Sequence, residues 1–185
     1  MRYKEFNRNK ILEDCISLFW KKSYTGTSIS DIVKATNVNR YSLYKEFENK
    51  RGILNAAIEL YLERYSRKYS SIIDTSDDLK SSLYNFYNAF IEDRSKHPPG
   101  CFILYIGTEL ADNDEDIQIL LKNYLKEIKI NLKTILEKHP DFHEEHEIVS
   151  ENLIGLFCGL MTVGYIKTYS ERVDQVNLKL DVILK

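Results

Sequence analysis

The chain has 185 residues and a mass of 21.8 kDa, which suits one compact domain or two small ones. Seven glycines and three prolines are few for this length, and hydrophobic residues make up 43% of the chain. This composition excludes collagen-like and low-complexity chains and favours long helices over many short strands. Three cysteines without a repeated spacing argue against a disulfide framework and for a reducing compartment.

The net charge of −2 is unevenly distributed along the chain. Residues 1–52 carry 11 Lys and Arg against 6 Asp and Glu, a net charge of +5, and residues 53–185 carry a net charge of −7. Such asymmetry indicates a nucleic-acid or membrane surface at one end. The longest stretch without a charge has 15 residues, shorter than the roughly 20 that span a bilayer. Because Glu13, Asp14 and Lys21 interrupt the first apolar run, no export signal is expected and we predict a cytoplasmic protein without a membrane partner.

Four helices are predicted in the first third of the chain. The first covers residues 4–22, with apolar residues at three- and four-residue spacing. The second begins at a capping pattern, Ser28 with Asp31, and ends near Asn37, a residue type that tolerates left-handed backbone. Asn39 is expected to cap a third helix that ends near residue 47, and a long fourth helix follows at 50–72.

The remainder of the chain predicts five further helices and no strand. Their expected ranges are 77–95, 101–111, 114–138, 145–170 and 173–184, with the last break placed at Arg172-Val173-Asp174. The predicted fold class is therefore all-α, with about nine helices. We divide it into a helix-turn-helix domain at 1–48 and a larger helical domain at 49–185.

The second and third helices, separated by a tight turn, have the layout of a helix-turn-helix, which places its second helix in the major groove of DNA. Arginine can donate two hydrogen bonds to a guanine edge, and hydroxyl groups can bond bases or phosphates. Phosphate contacts are expected from the start of the second helix and of the fourth. The candidate DNA-binding residues are Thr27, Ser28, Asn39, Arg40, Tyr41, Ser42, Tyr44, Lys45 and Lys50.

These residues carry a family resemblance. The stretch Thr27-Ser28-Ile29-Ser30-Asp31-Ile32, the stretch Asn37-Val38-Asn39-Arg40-Tyr41-Ser42-Leu43-Tyr44, and then Phe47, Lys50 and Leu54 resemble the N-terminal domain of tetracycline-repressor (TetR) family regulators. The resemblance covers about residues 5–58. It implies phosphate contacts from Thr27, Tyr44 and Lys50 and base readout by Arg40, Tyr41 and Ser42. Asn37 departs from the usual turn glycine, and Tyr41 stands where a small residue is common.

The resemblance also implies a C-terminal helical domain that dimerises and holds a pocket for a small-molecule inducer. The expected function is then a ligand-responsive repressor that binds a palindromic double-stranded operator as a homodimer. Residues 148–166 are apolar on nearly all sides, so a partner subunit could supply part of their cover, and Gly155, Gly159 and Gly164 would let a helix approach closely. The alternative is a central helix within one monomer.

A ligand pocket would be lined by inward-facing aromatic side chains, although most aromatics at helical spacing are simply core. The candidates are Tyr61, Tyr65, Phe86, Phe90, Cys101, Phe102, Tyr105, Tyr124, Phe157 and Tyr165. Pro98-Pro99-Gly100-Cys101 is similar to the start of the sixth helix in a TetR subgroup in which some members use cysteine to sense electrophiles or oxidants. Cys101 is either such a sensor or a small core residue, whereas Cys15 and Cys158 are interpreted as structural.

Other classes have little support in the sequence. His139, His143 and His146 do not share a helical face, because Pro140 separates the first from the others, so no metal site is predicted. No phosphate-binding loop, nucleophile elbow or zinc-protease motif is present, so neither a cofactor nor an enzyme is predicted. The remaining alternative is a helical small-molecule-binding protein or enzyme whose basic end is incidental.

Overall fold

The computed structural model describes residues 7–70, 78–92, 100–139, 146–162 and 166–184, and these residues contain nine α-helices and no strand. The helices are α1 (Arg8–Lys22), α2 (Ile29–Thr36), α3 (Arg40–Phe47), α4 (Lys50–Ser70), α5 (Leu79–Glu92), α6 (Phe102–Leu110), α7 (Glu115–Glu137), α8 (His146–Thr162) and α9 (Tyr169–Ile183). A 3₁₀ turn at Ala111–Asn113 lies between α6 and α7. The all-α prediction is confirmed. None of the helices in these ranges has the length and apolar character needed to cross a membrane.

The chain divides into two compact units, residues 1–65 and 66–185. The domain boundary drawn from the sequence, between 48 and 49, lies at the start of α4, whereas the first unit includes α4 as far as Tyr65. The reason is that this part of α4 packs on α1. The Tyr61 ring meets Trp20 edge-on at 6.0 Å between centroids, and Arg64 forms an ion pair with Glu13.

The first unit is built on α1, which begins at Arg8 rather than near residue 4. The Asn7 side chain caps it by accepting a hydrogen bond of 3.0 Å from the Lys10 backbone N–H. The side chains of Leu12, Cys15 and Phe19 are completely buried along one face of α1. Burial raises the pKa of the Cys15 thiol to about 12, so the thiol stays protonated and packs as a small apolar residue.

Gly52 allows the start of α4 to lie directly against the end of α3. A Cβ atom at this position would be 1.9 Å from the carbonyl oxygen of Phe47. That oxygen belongs to the backbone and cannot move aside as the end of a flexible side chain would. The close approach of the two helices therefore depends on a residue without a side chain.

The second unit contains α5–α9, with α5 and α9 in extensive contact. Two polar contacts show that these helices run antiparallel: Lys80 to Asp181 at 2.5 Å, and the Tyr169 hydroxyl to Asn88 at 3.0 Å. The Tyr87 hydroxyl, which is buried, donates a hydrogen bond of 2.6 Å to the carbonyl oxygen of Leu153 in α8. Two polar contacts at the surface therefore join α5 to α9, and one buried hydrogen bond joins α5 to α8.

The boundary between α8 and α9 differs from the prediction of a helix at 145–170 and a break at 172–174. In the structure α8 ends at Thr162 and α9 begins at Tyr169. The Thr168 hydroxyl accepts a hydrogen bond from the Glu171 N–H, and the Glu171 carboxylate accepts one from the Thr168 N–H. This reciprocal capping box satisfies the first N–H groups of α9 and sets its start, so the predicted break falls inside the helix.

We expect Gly52→Ala to destabilise the first unit. The clash with the Phe47 carbonyl oxygen forces α3 and α4 apart, at a cost of about 1–3 kcal/mol in the free energy of unfolding. Thermal unfolding followed by circular dichroism measures the effect, with Glu59→Ala on the exposed side of α4 as the matched control. Equal melting temperatures for the two variants would contradict this account of Gly52.

Candidate nucleic-acid interface

The local chemistry of α2 explains why it is short and well bounded. Ser28 caps its start, with the Ser28 hydroxyl and the Asp31 carboxylate each accepting the other residue's backbone N–H. Asn37 ends it in the left-handed conformation, φ 56° and ψ 32°, and its N–H donates to the Val33 carbonyl at 2.9 Å. Asn37 therefore adopts the left-handed backbone conformation that a glycine would adopt in this turn.

The helix α3 follows at once, capped by Asn39, whose side chain accepts a hydrogen bond of 2.9 Å from the Ser42 N–H. Leu43 and Phe47, four residues apart, are buried and fix which face of α3 turns inward. The opposite face is open to solvent, and Tyr41 is 77% exposed there. An exposed tyrosine of this size on a short helix is available to a partner surface.

Arg40 lies along the outward face of α3 against Tyr44. Its guanidinium carbon stands 5.0 Å from the centre of the Tyr44 ring, and Nη2 donates to the Tyr44 hydroxyl at 3.4 Å. These two residues are four apart on the helix, so their side chains meet naturally. The first turn of α3 therefore presents a cation whose position is already restricted.

Lys50 and Thr27 hold the turn between α1 and α2. The Lys50 ammonium donates to the carbonyl oxygens of Tyr24 at 2.8 Å and Thr27 at 2.9 Å, and it lies 4.2 Å from the centre of the Tyr24 ring. The Thr27 side chain is 1% exposed, and its hydroxyl donates to the Ser23 carbonyl at 2.5 Å. The resemblance predicts that both residues contact phosphate. In this structure their polar side-chain atoms bond backbone carbonyl oxygens of the first unit instead.

The charges of the first unit leave α2 and α3 positive. Glu46 pairs with Arg8, and Asp31 pairs with Lys22. The Lys22 ammonium and the Ser28 groups that bond the Asp31 carboxylate hold its pKa well below its usual range, so Asp31 stays charged and neutralised by Lys22. Within the described part of the chain, Lys34, Arg40 and Lys45 have no acidic partner.

In the second unit, several predicted pocket residues form one aromatic cluster. Phe90 lies 5.1 Å from Phe86 and 4.7 Å from Phe157 between ring centroids, and Tyr124 lies 6.4 Å from Phe157. The Cys101 sulfur is 3.2 Å from the Tyr124 hydroxyl, and Cys101 is 3% exposed. The structure therefore brings five of the ten candidates together.

The other five pocket candidates are placed differently. Phe102 is fully buried in α6, and Tyr105 in the same helix is half-buried. Tyr61 belongs to the first unit, where it packs on Trp20. The side chain of Tyr65, and Tyr165 as a whole, lie outside the described residues. His143 and the side chain of His146 also lie outside them, and the described residues contain no group of three or more potential metal ligands.

A second feature of this unit is a cavity of about 440 Å³ between α8 and α9. Gly155 and Gly159 line it, and a Cβ atom added at either glycine would meet no other atom within 4 Å. Three large apolar side chains on the same two helices are exposed: Ile148 at 65%, Leu178 at 65% and Val182 at 63%. Gly164, the third glycine of the predicted packing surface, lies outside the described residues.

Sequence reasoning missed one buried charged residue, Arg172, which is 1% exposed. It was interpreted as part of a break between helices. The spacing of Arg172 to Val176 and Leu180, four and eight residues on, would have placed it on the buried face of α9.

We expect Lys50→Met to lower the stability of the first unit while Lys45→Met leaves it unchanged. The first variant removes two charge-assisted hydrogen bonds to carbonyl oxygens, worth about 1.5–3 kcal/mol in the free energy of unfolding. Lys45 is exposed and makes no such bond. Urea titration of both variants compares them, and matching midpoints would show that Lys50 does not hold the turn.

Comparison with known proteins places this geometry in a family. The model of bacterial regulatory proteins of the tetR family matches residues 11–57. The transcriptional repressor ComR of Escherichia coli K12 is 31% identical over 125 residues, which are 66% of this chain and 60% of ComR, so the chain spans less than two thirds of that relative. The biofilm operon negative transcriptional regulator IcaR of Staphylococcus epidermidis is 28% identical over 96% of this chain and 99% of IcaR.

Solved structures agree in fold. A cysteine-substituted variant of the TetR-family regulator CifR, in complex with 26-bp operator DNA, superimposes with a TM-score of 0.86, covers 98% of each chain and is 17% identical. A TetR-family regulator from Cytophaga hutchinsonii gives a TM-score of 0.80 at 22% identity, covering 98% of this chain and 97% of that one. The helix-turn-helix, the match of residues 11–57 to the tetR family model and the likeness to IcaR over nearly the whole length together show a DNA-binding transcriptional regulator, not an enzyme, whose first unit carries a DNA-binding domain of the tetR family.

Proposed function

We propose that this protein is a ligand-responsive transcriptional repressor that binds a palindromic operator as a homodimer. The observation that carries the proposal is the outward face of α3, where Arg40 and the highly exposed Tyr41 stand on a helix of the correct length and position for the major groove. ComR and IcaR, the relatives described above, are both named as repressors or negative regulators.

Base readout is assigned to the first turn of α3. The Arg40 guanidinium has the planar pair of donors that matches the O6 and N7 acceptors of guanine. Tyr41 and Ser42 follow it, and Tyr41 is 77% exposed. Asn39 supports this turn through its cap on the Ser42 N–H.

Phosphate anchoring is divided between direct and indirect contributors. Ser28 and Lys45 are exposed, and Tyr44 is half-buried beside Arg40, so these three are the proposed direct contacts. Thr27 and Lys50 contribute by holding the residues immediately before α2, because their polar atoms already bond backbone carbonyls there. The start of α2 is then presented to the backbone of DNA in a fixed orientation.

The homodimer is assigned to the exposed face of α8 and α9. Ile148, Leu178 and Val182 would be shielded from water by the same face of a second copy, and the open space above Gly155 and Gly159 allows a helix to come close. A two-fold interface uses one patch on both subunits, so a single self-complementary surface is sufficient. Two helix-turn-helix domains related by a two-fold axis then match the two half-sites of a palindrome.

The effector is proposed to bind in the second unit and to favour a dimer whose helix-turn-helix domains no longer fit the operator. The change in operator affinity is limited by the difference in effector affinity between the two dimer geometries. The aromatic cluster around Phe90 and Phe157 offers an apolar surface for such a ligand. Cysteine sensing at Cys101 remains a hypothesis, and its low exposure means that a reagent must first enter the core.

Operator binding tests the proposal. The parent should bind DNA flanking its own gene in preference to random DNA, with an affinity that falls steeply as salt is raised. Arg40→Ala should lose about 1–3 kcal/mol of discrimination at one base-pair position, because a bidentate contact is removed. Fluorescence anisotropy with single-base operator variants measures both effects, and Lys122→Ala on α7 is the control. Equal affinity of the parent for operator and random DNA would disprove specific recognition.

The dimer is tested separately. Leu178→Glu places a charge in the proposed apolar interface and should convert the dimer to monomer at micromolar concentration, whereas Ile119→Glu should leave the dimer intact. Both residues are exposed, Leu178 at 65% and Ile119 at 50%, but Ile119 lies on α7 outside the proposed interface. Native mass spectrometry gives the stoichiometry, and a parent that is monomeric at this concentration would rule the dimer out.

A further inference from the structure

Arg172 is buried in the core of the second unit and has no counter-ion among the residues that the structure describes. Its side chain is 1% exposed and is the largest of the fully buried side chains. Nε donates a hydrogen bond of 3.2 Å to the Thr168 carbonyl oxygen, one turn earlier in α9. Nη2 is buried and has no hydrogen-bond partner among the described residues. Because a guanidinium stays charged at any physiological pH, this nitrogen carries unbalanced positive charge into the interior.

Three acidic residues lie on α9, and two of them are engaged elsewhere. Glu171 accepts from the N–H and hydroxyl of Thr168 in the capping box, which lowers the pKa of Glu171 and keeps it ionised there. Asp181, at the other end of the helix, pairs with Lys80 of α5. Asp174, the third acidic residue of α9, is exposed to solvent. Within the described residues, none of these three carboxylates forms an ion pair with Arg172.

On α9, Arg172 has a polar residue on one side along the helix and apolar residues on the other. Val176 and Leu180 continue its face of α9 into the core, and both are buried. Tyr169, three residues before Arg172, bonds Asn88 of α5 through its hydroxyl. Along α9, Arg172 therefore lies between Tyr169, which contacts α5, and the buried apolar residues that follow.

Burial of an unpaired charge is costly, and replacing a buried ionic group by an apolar one of similar volume is often neutral or stabilising. Leucine or methionine at this position would continue the apolar face set by Val176 and Leu180. The arginine therefore works against the stability of the unit unless an anion joins it. Charge balance favours a single negative charge, and the planar edge that bears Nη2 matches a carboxylate.

We propose that Arg172 anchors the carboxylate of a small organic acid, and that this acid is the effector; the regulatory part of this inference rests on the function proposed above. The carboxylate occupies the unpartnered side of the guanidinium, and the rest of the acid contacts neighbouring apolar side chains. Binding neutralises the buried charge and so stabilises the second unit in the form that holds the ligand.

Thermal unfolding of the full-length protein without DNA tests the site. Sodium propionate is the probe, propionamide is its neutral analogue, and sodium chloride keeps the ionic strength constant. Propionate at a hundred times its Kd should raise the melting temperature of the parent by roughly 5 °C. Propionamide and chloride should leave it unchanged. The same response to propionamide, or no response to propionate, would overturn the proposal.

Two variants locate the effect. Arg172→Met should melt at or above the temperature of the ligand-free parent and should not respond to propionate, whereas Lys122→Met, which removes an exposed cation of the same unit, should respond like the parent. If Arg172→Met does not fold, Arg172→Lys tests the site instead. The lysine keeps the positive charge but lacks the planar guanidinium, so it should bind propionate about tenfold more weakly. An undiminished response in either Arg172 variant would overturn the assignment.

Inorganic phosphate separates carboxylates from other anions. A rise in melting temperature with phosphate and none with propionate would overturn the carboxylate as the ligand class. Since the melting experiment contains no DNA, its failure leaves the operator-binding proposal standing. Conversely, a parent that binds propionate through Arg172 but never binds operator would remove the proposed function and retain the site.

Discussion

The ammonium group of Lys50 joins two segments that are more than twenty residues apart in the chain. By donating to the carbonyls of Tyr24 and Thr27, it fastens the end of the α1–α2 turn to the first residue of α4. Everything between these points, including both short helices, is closed into one loop whose ends are fixed. The short helices α2 and α3 have eight residues each and would be marginal alone, so their orientation depends on this closure and on the buried Ile32 and Leu43.

Because the Lys50 hydrogen bonds fix the orientation of α3, its two faces have separate roles. The inward face is occupied by Leu43 and Phe47, and Gly52 lets α4 come close behind them. The side chains of the outward face are not needed for packing the core, so their identities can suit the DNA sequence to be bound. The ion pairs of Arg8 and Lys22 neutralise acids nearby, which leaves the charge of α3 as the field that an approaching phosphate backbone meets.

Features set by local chemistry were predictable from the sequence, and features set by distant contacts were not. The ends of α2 and the start of α3 were identified correctly, because Ser28, Asp31, Asn37 and Asn39 act on backbone groups within four residues of themselves. The start of α9 was missed although Thr168 and Glu171 form the same kind of box, since the apolar residues before them suggested a continuous helix. The role of Lys50 in the turn depends on residues brought near by folding and cannot be deduced from spacing alone. The burial of Arg172 follows from its spacing to Val176 and Leu180, but only once the start of α9 is placed correctly.

The stacking of Arg40 on Tyr44 has a consequence for how DNA would be read. On the proposed contacts, the Tyr44 hydroxyl can accept a hydrogen bond from Arg40 and at the same time donate its own hydrogen to a phosphate oxygen. The guanidinium and the phosphate would then share one hydroxyl group. The position of the side chain that reads a base would therefore be tied to the position of the DNA backbone, so that a shift of the backbone by one base pair would also shift Arg40 relative to the base edges.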